Sequence, residues 1–186
     1  MYYHASQTPD IQILEPRISN HNRPLIYFST RRENVLVYLS NAIEKYCKET
    51  HFDYNGPWKK WGPYGFEADG TLRFEEYYPN ALEDTYQGVS GYIYHVKHLD
   101  TPQDNIQIHH AVTCTNPVPV DGFEFVPDAY EAIMKASQQG LLKILRYEEQ
   151  SDRMLAWIKR TMHEEYNAAA DHPEYRHFLK GKFPFL

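Results

Sequence analysis

Apolar and polar positions alternate in short runs over the first part of this chain, then give way to helical spacing near its end. Tyr2 to Ala5 predicts an opening strand, followed by a loop holding Pro9 and Pro16. Leu25-Ile26-Tyr27-Phe28, bounded by Pro24 and by Ser29-Thr30, predicts a buried strand. Thr30-Arg31-Arg32-Glu33 has the Thr-x-x-Glu pattern of a capping box. Val35, Leu36, Leu39, Ala42, Ile43, Tyr46 and Cys47 then recur at helical spacing, so an amphipathic helix is expected over 31–48.

Between His51 and Gly70 the pattern breaks. Gly56-Pro57, Gly62-Pro63, Gly65 and Asp69-Gly70 punctuate a stretch carrying Tyr54, Trp58, Trp61, Tyr64 and Phe66. So much glycine and proline forbids regular structure, while the aromatic rings oppose full exposure. An ordered aromatic loop over 52–70, folded back on the body, satisfies both. Strands are expected at 71–78, 88–96, 106–114 and 118–120, with a short helix or turn at 79–86. After Pro127 the chain turns helical: one helix over 128–139 with Gly140 as its C-terminal cap, then a long one over about 141–169. The tail, with Pro173 and Pro184, is expected to wrap the surface. Strands with one early helix, more strands, then helices make an α+β fold with a mixed or antiparallel sheet. We expect one domain over 1–186, a sheet-rich body to 126 and a helical segment from 127.

Composition narrows the function classes. No apolar run approaches the ~18–20 residues of a membrane span, and Met1-Tyr2-Tyr3-His4 carries no secretory signal. Two cysteines, Cys47 and Cys114, form no disulfide framework and suit a reducing compartment, so a cytoplasmic location is expected. The net charge of −6 argues against strong sequence-independent binding to nucleic acid, although Lys59-Lys60 and Arg31-Arg32 are local basic pairs. Sixteen Tyr, nine Phe and three Trp fit a tyrosine-rich core and surface, or a pocket for a planar, partly polar ligand.

The common nucleotide motifs are missing. No phosphate loop, no Gly-x-Gly-x-x-Gly and no Gly-x-Ser-x-Gly is found. His95-x-x-His98 and His109-His110 invite a metal reading, but on a strand each pair points to opposite faces, and no metal is expected. Tyr38 sits at the edge of the helix's apolar arc, about 60° from Val35 on a wheel of ~100° per residue, where its ring can line a cleft.

Taken together, His4, Tyr27 and Tyr38 carry a resemblance. Tyr3-His4-Ala5-Ser6 resembles the aromatic-His-Gly-Ser opening strand of the poly(ADP-ribose) polymerase catalytic domain. Leu25-Ile26-Tyr27-Phe28-Ser29 is similar to that domain's Gly-Ile-Tyr-Phe-Ala strand, and Tyr38 follows Tyr27 by eleven positions, as the second nicotinamide-stacking tyrosine does. These are the first two parts of the His–Tyr–Glu signature of ADP-ribosyltransferases, and they cover residues 2–48. The resemblance implies an ADP-ribosyltransferase-like fold with NAD as co-substrate, or an ADP-ribose-bearing ligand, and a protein acceptor or partner. His4, Ala5, Tyr27, Ser29 and Tyr38 would bind it, and His4, Tyr27 and a carboxylate would act on it. Three positions depart from the family: Ala5 replaces a glycine, Val35 a serine, and the late strand at 106–112 has no acid. Glu75, Glu76 and Glu124 are the substitutes considered, Glu76 being the one assigned. Two alternatives stand beside this: a non-catalytic ligand- or protein-binding module on the same fold, and a His-dependent metal hydrolase built from His95, His109 and His110.

Overall fold

The computed structural model describes residues 1–18, 23–56, 58–100, 102 and 107–186. Four strands come first: β1 (Tyr2–Ser6), β2 (Ile13–Leu14), β3 (Arg17–Ile18) and β4 (Pro24–Ser29). A 3-10 segment, Arg32–Tyr38, leads into α1 (Ala42–Glu49), β5 (Tyr64–Phe66), β6 (Leu72–Glu75) and α2 (Ala81–Tyr86). Next are β7 (Gly91–Val96), β8 (Ala111–Cys114), β9 (Val118–Pro119), β10 (Gly122–Val126) and α3 (Ala129–Gln138). The chain ends with β11 (Lys143–Leu145), α4 (Asp152–Ala168) and α5 (Pro173–Lys182). The class is α+β. Among the described pairings all are antiparallel except β11 with β6.

The main sheet runs β10-β7-β1-β4-β3, with β8 also pairing β4. Five residues of β1 register with β7, from Tyr2↔Val96 to Ser6↔Tyr92. On its other side β1 meets β4 only at Tyr3↔Ser29. From that point the two central strands part, and the site described below opens between them.

Three apolar clusters hold this arrangement. The first joins Ala5 and Ile93 to the 3-10 segment and α3 through Val35, Leu36, Leu39 and Ile133. A second packs α1, α4 and α5 around Trp61, with Ile43, Ile158, Met162, Phe178 and Phe183. The third includes Leu14, Ile26, Phe28 and Val118.

The expected helix over 31–48 is two pieces. Asn34, Val35, Leu36 and Val37 are buried consecutively, so this stretch is enclosed on all sides and has no solvent face for an amphipathic helix to present. The capping box does not form either. Thr30 donates its N–H to the His110 carbonyl at 2.9 Å, and the Arg31 N–H goes to Ser29 Oγ at 3.0 Å. Ser40 Oγ donates to the Trp61 carbonyl at 2.5 Å, pinning the break before α1.

The long helix over 141–169 is also corrected. Leu142 is buried and Lys143–Leu145 extends beside β6, so α4 begins only at Asp152, where Ser151 Oγ accepts the Met154 N–H at 3.2 Å. Nor does the tail wrap the surface: Pro173 starts α5, as proline in a first helical turn can. His109 and His110 lie in a turn, His110 with φ +63°, so the strand expected from 106 begins at Ala111. Ile106 lies outside the described residues.

Candidate functional site

Where β1 and β4 part, a backbone carbonyl that a sheet ladder would have used is left over. His4 takes it: its Nδ1 lies 2.8 Å from the Tyr27 carbonyl oxygen. A carbonyl only accepts, so Nδ1 carries the proton, and the neutral ring presents Nε2 as an acceptor. Burial lowers the His4 pKa, outweighing the Tyr27 hydrogen bond, and Lys60 and Arg17 lower it further. The imidazole is therefore held neutral.

This lowering has a measurable sign. In unfolded chain the ring titrates near its ordinary value of about 6.5. Between that value and the lower folded one, the unfolded state binds more protons, so stability falls as pH drops through this window. His4→Asn keeps a donor for Tyr27 but cannot charge. Wild type should lose stability relative to His4→Asn between pH 7.5 and pH 5 in urea unfolding, whereas parallel pH slopes would count against a neutral His4.

A cavity of about 340 Å³ opens from this hydrogen bond, lined by His4, Ala5, Tyr27, Tyr38, Arg17 and Lys60 together with apolar Ile13, Leu14 and Leu25. The Lys60 ammonium donates to the Tyr38 carbonyl at 2.9 Å. Its pKa is lowered, first by desolvation and then by Arg17. The Tyr38 hydroxyl is pushed well above its usual range by burial and by its neighbour Tyr64. The one carboxylate among the described lining residues is Glu15, which is exposed.

Two further spaces adjoin the same tyrosines. A small chamber of about 20 Å³ is lined by Tyr27, Tyr38, Ser29 and Asn34. The Asn34 side chain is buried there with both amide atoms unpartnered among the described residues. A groove of about 600 Å³ shares Tyr27, Tyr38 and Lys60 with the His4 cavity and continues along Trp58, Trp61, Tyr77 and Trp157. The aromatic segment thus flanks the tyrosine pair, with Pro57 outside the described residues.

Of the residues singled out in the sequence, His4, Ala5, Tyr27 and Tyr38 share one cavity. Ser29 does not join them; it lines the small chamber, where its Oγ is occupied by the Arg31 N–H. Glu76 is not brought there either. Its carboxylate accepts from Leu82 N at 3.0 Å, Arg146 Nη1 at 3.1 Å and Tyr147 N at 3.1 Å. Glu75 is engaged by Arg73, and Glu124 pairs with Arg32, which holds its carboxyl below the usual range. Sequence reasoning missed Arg17, Glu15 and Asn34 as neighbours of the tyrosines; none stands in a pattern that marks it. Lys60 had a signal, the Lys59-Lys60 pair inside an aromatic stretch.

Among the described residues no group of three His, Cys, Asp or Glu could hold a metal ion, and no helix is long and apolar enough to cross a membrane. Comparison with family models, with curated proteins and with solved structures finds no match to this chain.

Proposed function

We propose that the His4 cavity binds NAD, or a ligand bearing ADP-ribose, and that the protein is ADP-ribosyltransferase-like. The observation that carries this is the convergence of His4, Tyr27 and Tyr38 on one cavity with Lys60 and Arg17 on its wall. Its volume falls within the range of small-ligand sites. Tyrosine rings can stack on a pyridinium, whose positive charge favours their faces. His4 Nε2 can accept a ribose hydroxyl, and the two cations oppose the charge of a pyrophosphate. In a transfer reaction the bond from ribose C1′ to nicotinamide breaks, nicotinamide leaves with the electron pair, and an acceptor's lone pair forms the new bond. A nearby carboxylate stabilises the cationic character that develops.

A second reading, a non-catalytic ligand-binding module on the same architecture, is favoured by the engagement of Glu76 with Arg146 and two backbone N–H groups. Glu15 is then the one lining carboxylate left to test. Calorimetry with NAD and with nicotinamide should show binding that Tyr38→Ala weakens about five- to thirty-fold, the loss of one stacking ring. No heat and no thermal shift at millimolar NAD would remove the NAD reading. Binding without nicotinamide release supports the module, and release that Glu15→Gln abolishes supports the enzyme.

A further inference from the structure

The 600 Å³ groove beyond Tyr27 and Tyr38 is walled by aromatic side chains from four separate segments. Trp58 comes from the loop after α1, Tyr77 from just beyond β6, Trp157 from α4 and Tyr175 from α5. Two of these indoles remain open to solvent, Trp58 at 36% and Trp157 at 37% exposure. Trp157 is held from one side, whereas Trp58 carries His172 stacked on its ring and the Lys59 ammonium 4.7 Å over it. Trp58 stacks on His172 with centroids 3.9 Å apart and planes 7° from parallel, and Trp157 meets Tyr77 edge-on at 5.9 Å. Fixed, half-open rings can receive a planar partner without first losing much freedom.

Charge narrows the partner further. Lys59 is neutralised by Glu165, whose two oxygens lie 2.8 and 3.0 Å from its ammonium, with the Tyr175 hydroxyl donating to the same carboxylate. Lys60, at the junction with the His4 cavity, has no carboxylate bonded to it among the described residues; it donates to a backbone carbonyl and stands beside another cation, Arg17. The groove therefore offers the open indole face of Trp157 and, among the described residues, a positive charge on Lys60 with no carboxylate bonded to it.

We propose that this groove takes a single nucleotide unit, its base stacked on Trp157 and its phosphate at Lys60, as a second substrate beside the His4 cavity. Every base has a π-face, so stacking on indole tolerates base identity, and a lone lysine suits one phosphate rather than a long polyanion. That agrees with a net charge of −6, which opposes binding along an extended nucleic acid. The role as second substrate rests on the proposed function; the binding itself does not.

Titration calorimetry with nicotinamide present uses AMP, UMP, dTMP, hexathymidylate, inorganic phosphate and a phosphotyrosine peptide. AMP and UMP should bind with similar affinity, and more tightly than inorganic phosphate. Trp157→Ala should weaken AMP about tenfold and Trp58→Ala less, Lys60→Ala should weaken it as well, and Trp157→Phe should recover part of the loss. Circular dichroism of each variant separates lost stacking from lost fold. Hexathymidylate binding tighter than dTMP identifies a strand end as the source, and equal affinity a free nucleotide. AMP binding indifferent to Trp157, or capture of the phosphopeptide without nucleotides, overturns the proposal. Nicotinamide binding that fails while AMP binding depends on Trp157 sinks the NAD reading alone, and the reverse sinks this inference alone.

Discussion

Glu76→Ala is expected to lower the unfolding free energy by about 2–4 kcal/mol, chiefly the cost of leaving two backbone N–H groups without their acceptor, with the partly exposed Arg146 adding less than a buried partner would. Glu76 is only 2% exposed, and three donors converge on its carboxylate: the backbone N–H of Leu82 and of Tyr147, and the Arg146 guanidinium. Gln150 also donates to the Glu76 carbonyl, at 3.1 Å. One residue thus ties the start of α2 to the turn that follows β11. Alanine would leave two N–H groups without an acceptor and a cation without its counter-charge. Glu76→Gln keeps the shape but turns an amide NH₂ toward groups that are all donors, so it should also be costly. Urea unfolding of wild type and both variants measures this. A Glu76→Gln protein of unchanged midpoint that has lost nicotinamide release would instead make Glu76 a catalytic group, against its placement.

That tie explains why the carboxylate was misassigned from sequence. Glu75 and Glu76 stand on the expected strand at 71–78, and alternation along a strand says only that neighbours face opposite sides. The strand ends at Glu75. Beyond it the chain turns, and both carboxylates find cations of their own, Arg73 in one case and Arg146, seventy positions away, in the other. Nothing local announces a partner at that separation. By contrast, the convergence of His4 with Tyr27 and Tyr38 was legible because β1 and β4 are short apolar patterns set locally, and Tyr38 follows β4 without a long connection.

Elements whose form depends on distant neighbours were the ones misread. Arg32–Tyr38 shows helical apolar spacing, yet burial on every side leaves it a 3-10 segment. β11 is three residues long and extended only because β6 offers it a parallel edge. β10 carries Phe123-Glu124-Phe125, all three exposed, and holds its place as an edge strand through its pairing with β7, a partner far away in sequence. Asp128 and Ser151, by contrast, each cap a helix with their own side chains, but only the boundary at Asp128 was anticipated.

Phe178→Ala is expected to cost about 3–5 kcal/mol, as buried phenylalanine truncations do when the surroundings collapse only in part. Two prolines in the last fourteen residues suggested a surface tail, but Pro173 opens a helix and its apolar face supplies Tyr175, Phe178 and Leu179 to the second core. Phe178 is fully buried, with the Trp61 ring 5.2 Å away and Tyr46 edge-on at 5.9 Å. Neither tryptophan nor tyrosine can swing into the vacated volume without giving up contacts of its own. Trp61 also lines the aromatic groove, and Tyr175, one turn before Phe178 in α5, lines it too. The damage should therefore be uneven. Where Phe178→Ala remains folded, the AMP binding proposed for the groove should weaken, while the nicotinamide binding proposed for Tyr27 and Tyr38 should change far less. Phe178→Leu retains most of the apolar volume and should cost under about 1.5 kcal/mol. Urea midpoints for the two variants, read with AMP and nicotinamide titrations, check both halves. An alanine variant as stable as wild type would mean that α5 is not packed as described, and equal losses for the two ligands would mean that the cavity and the groove are not separable sites.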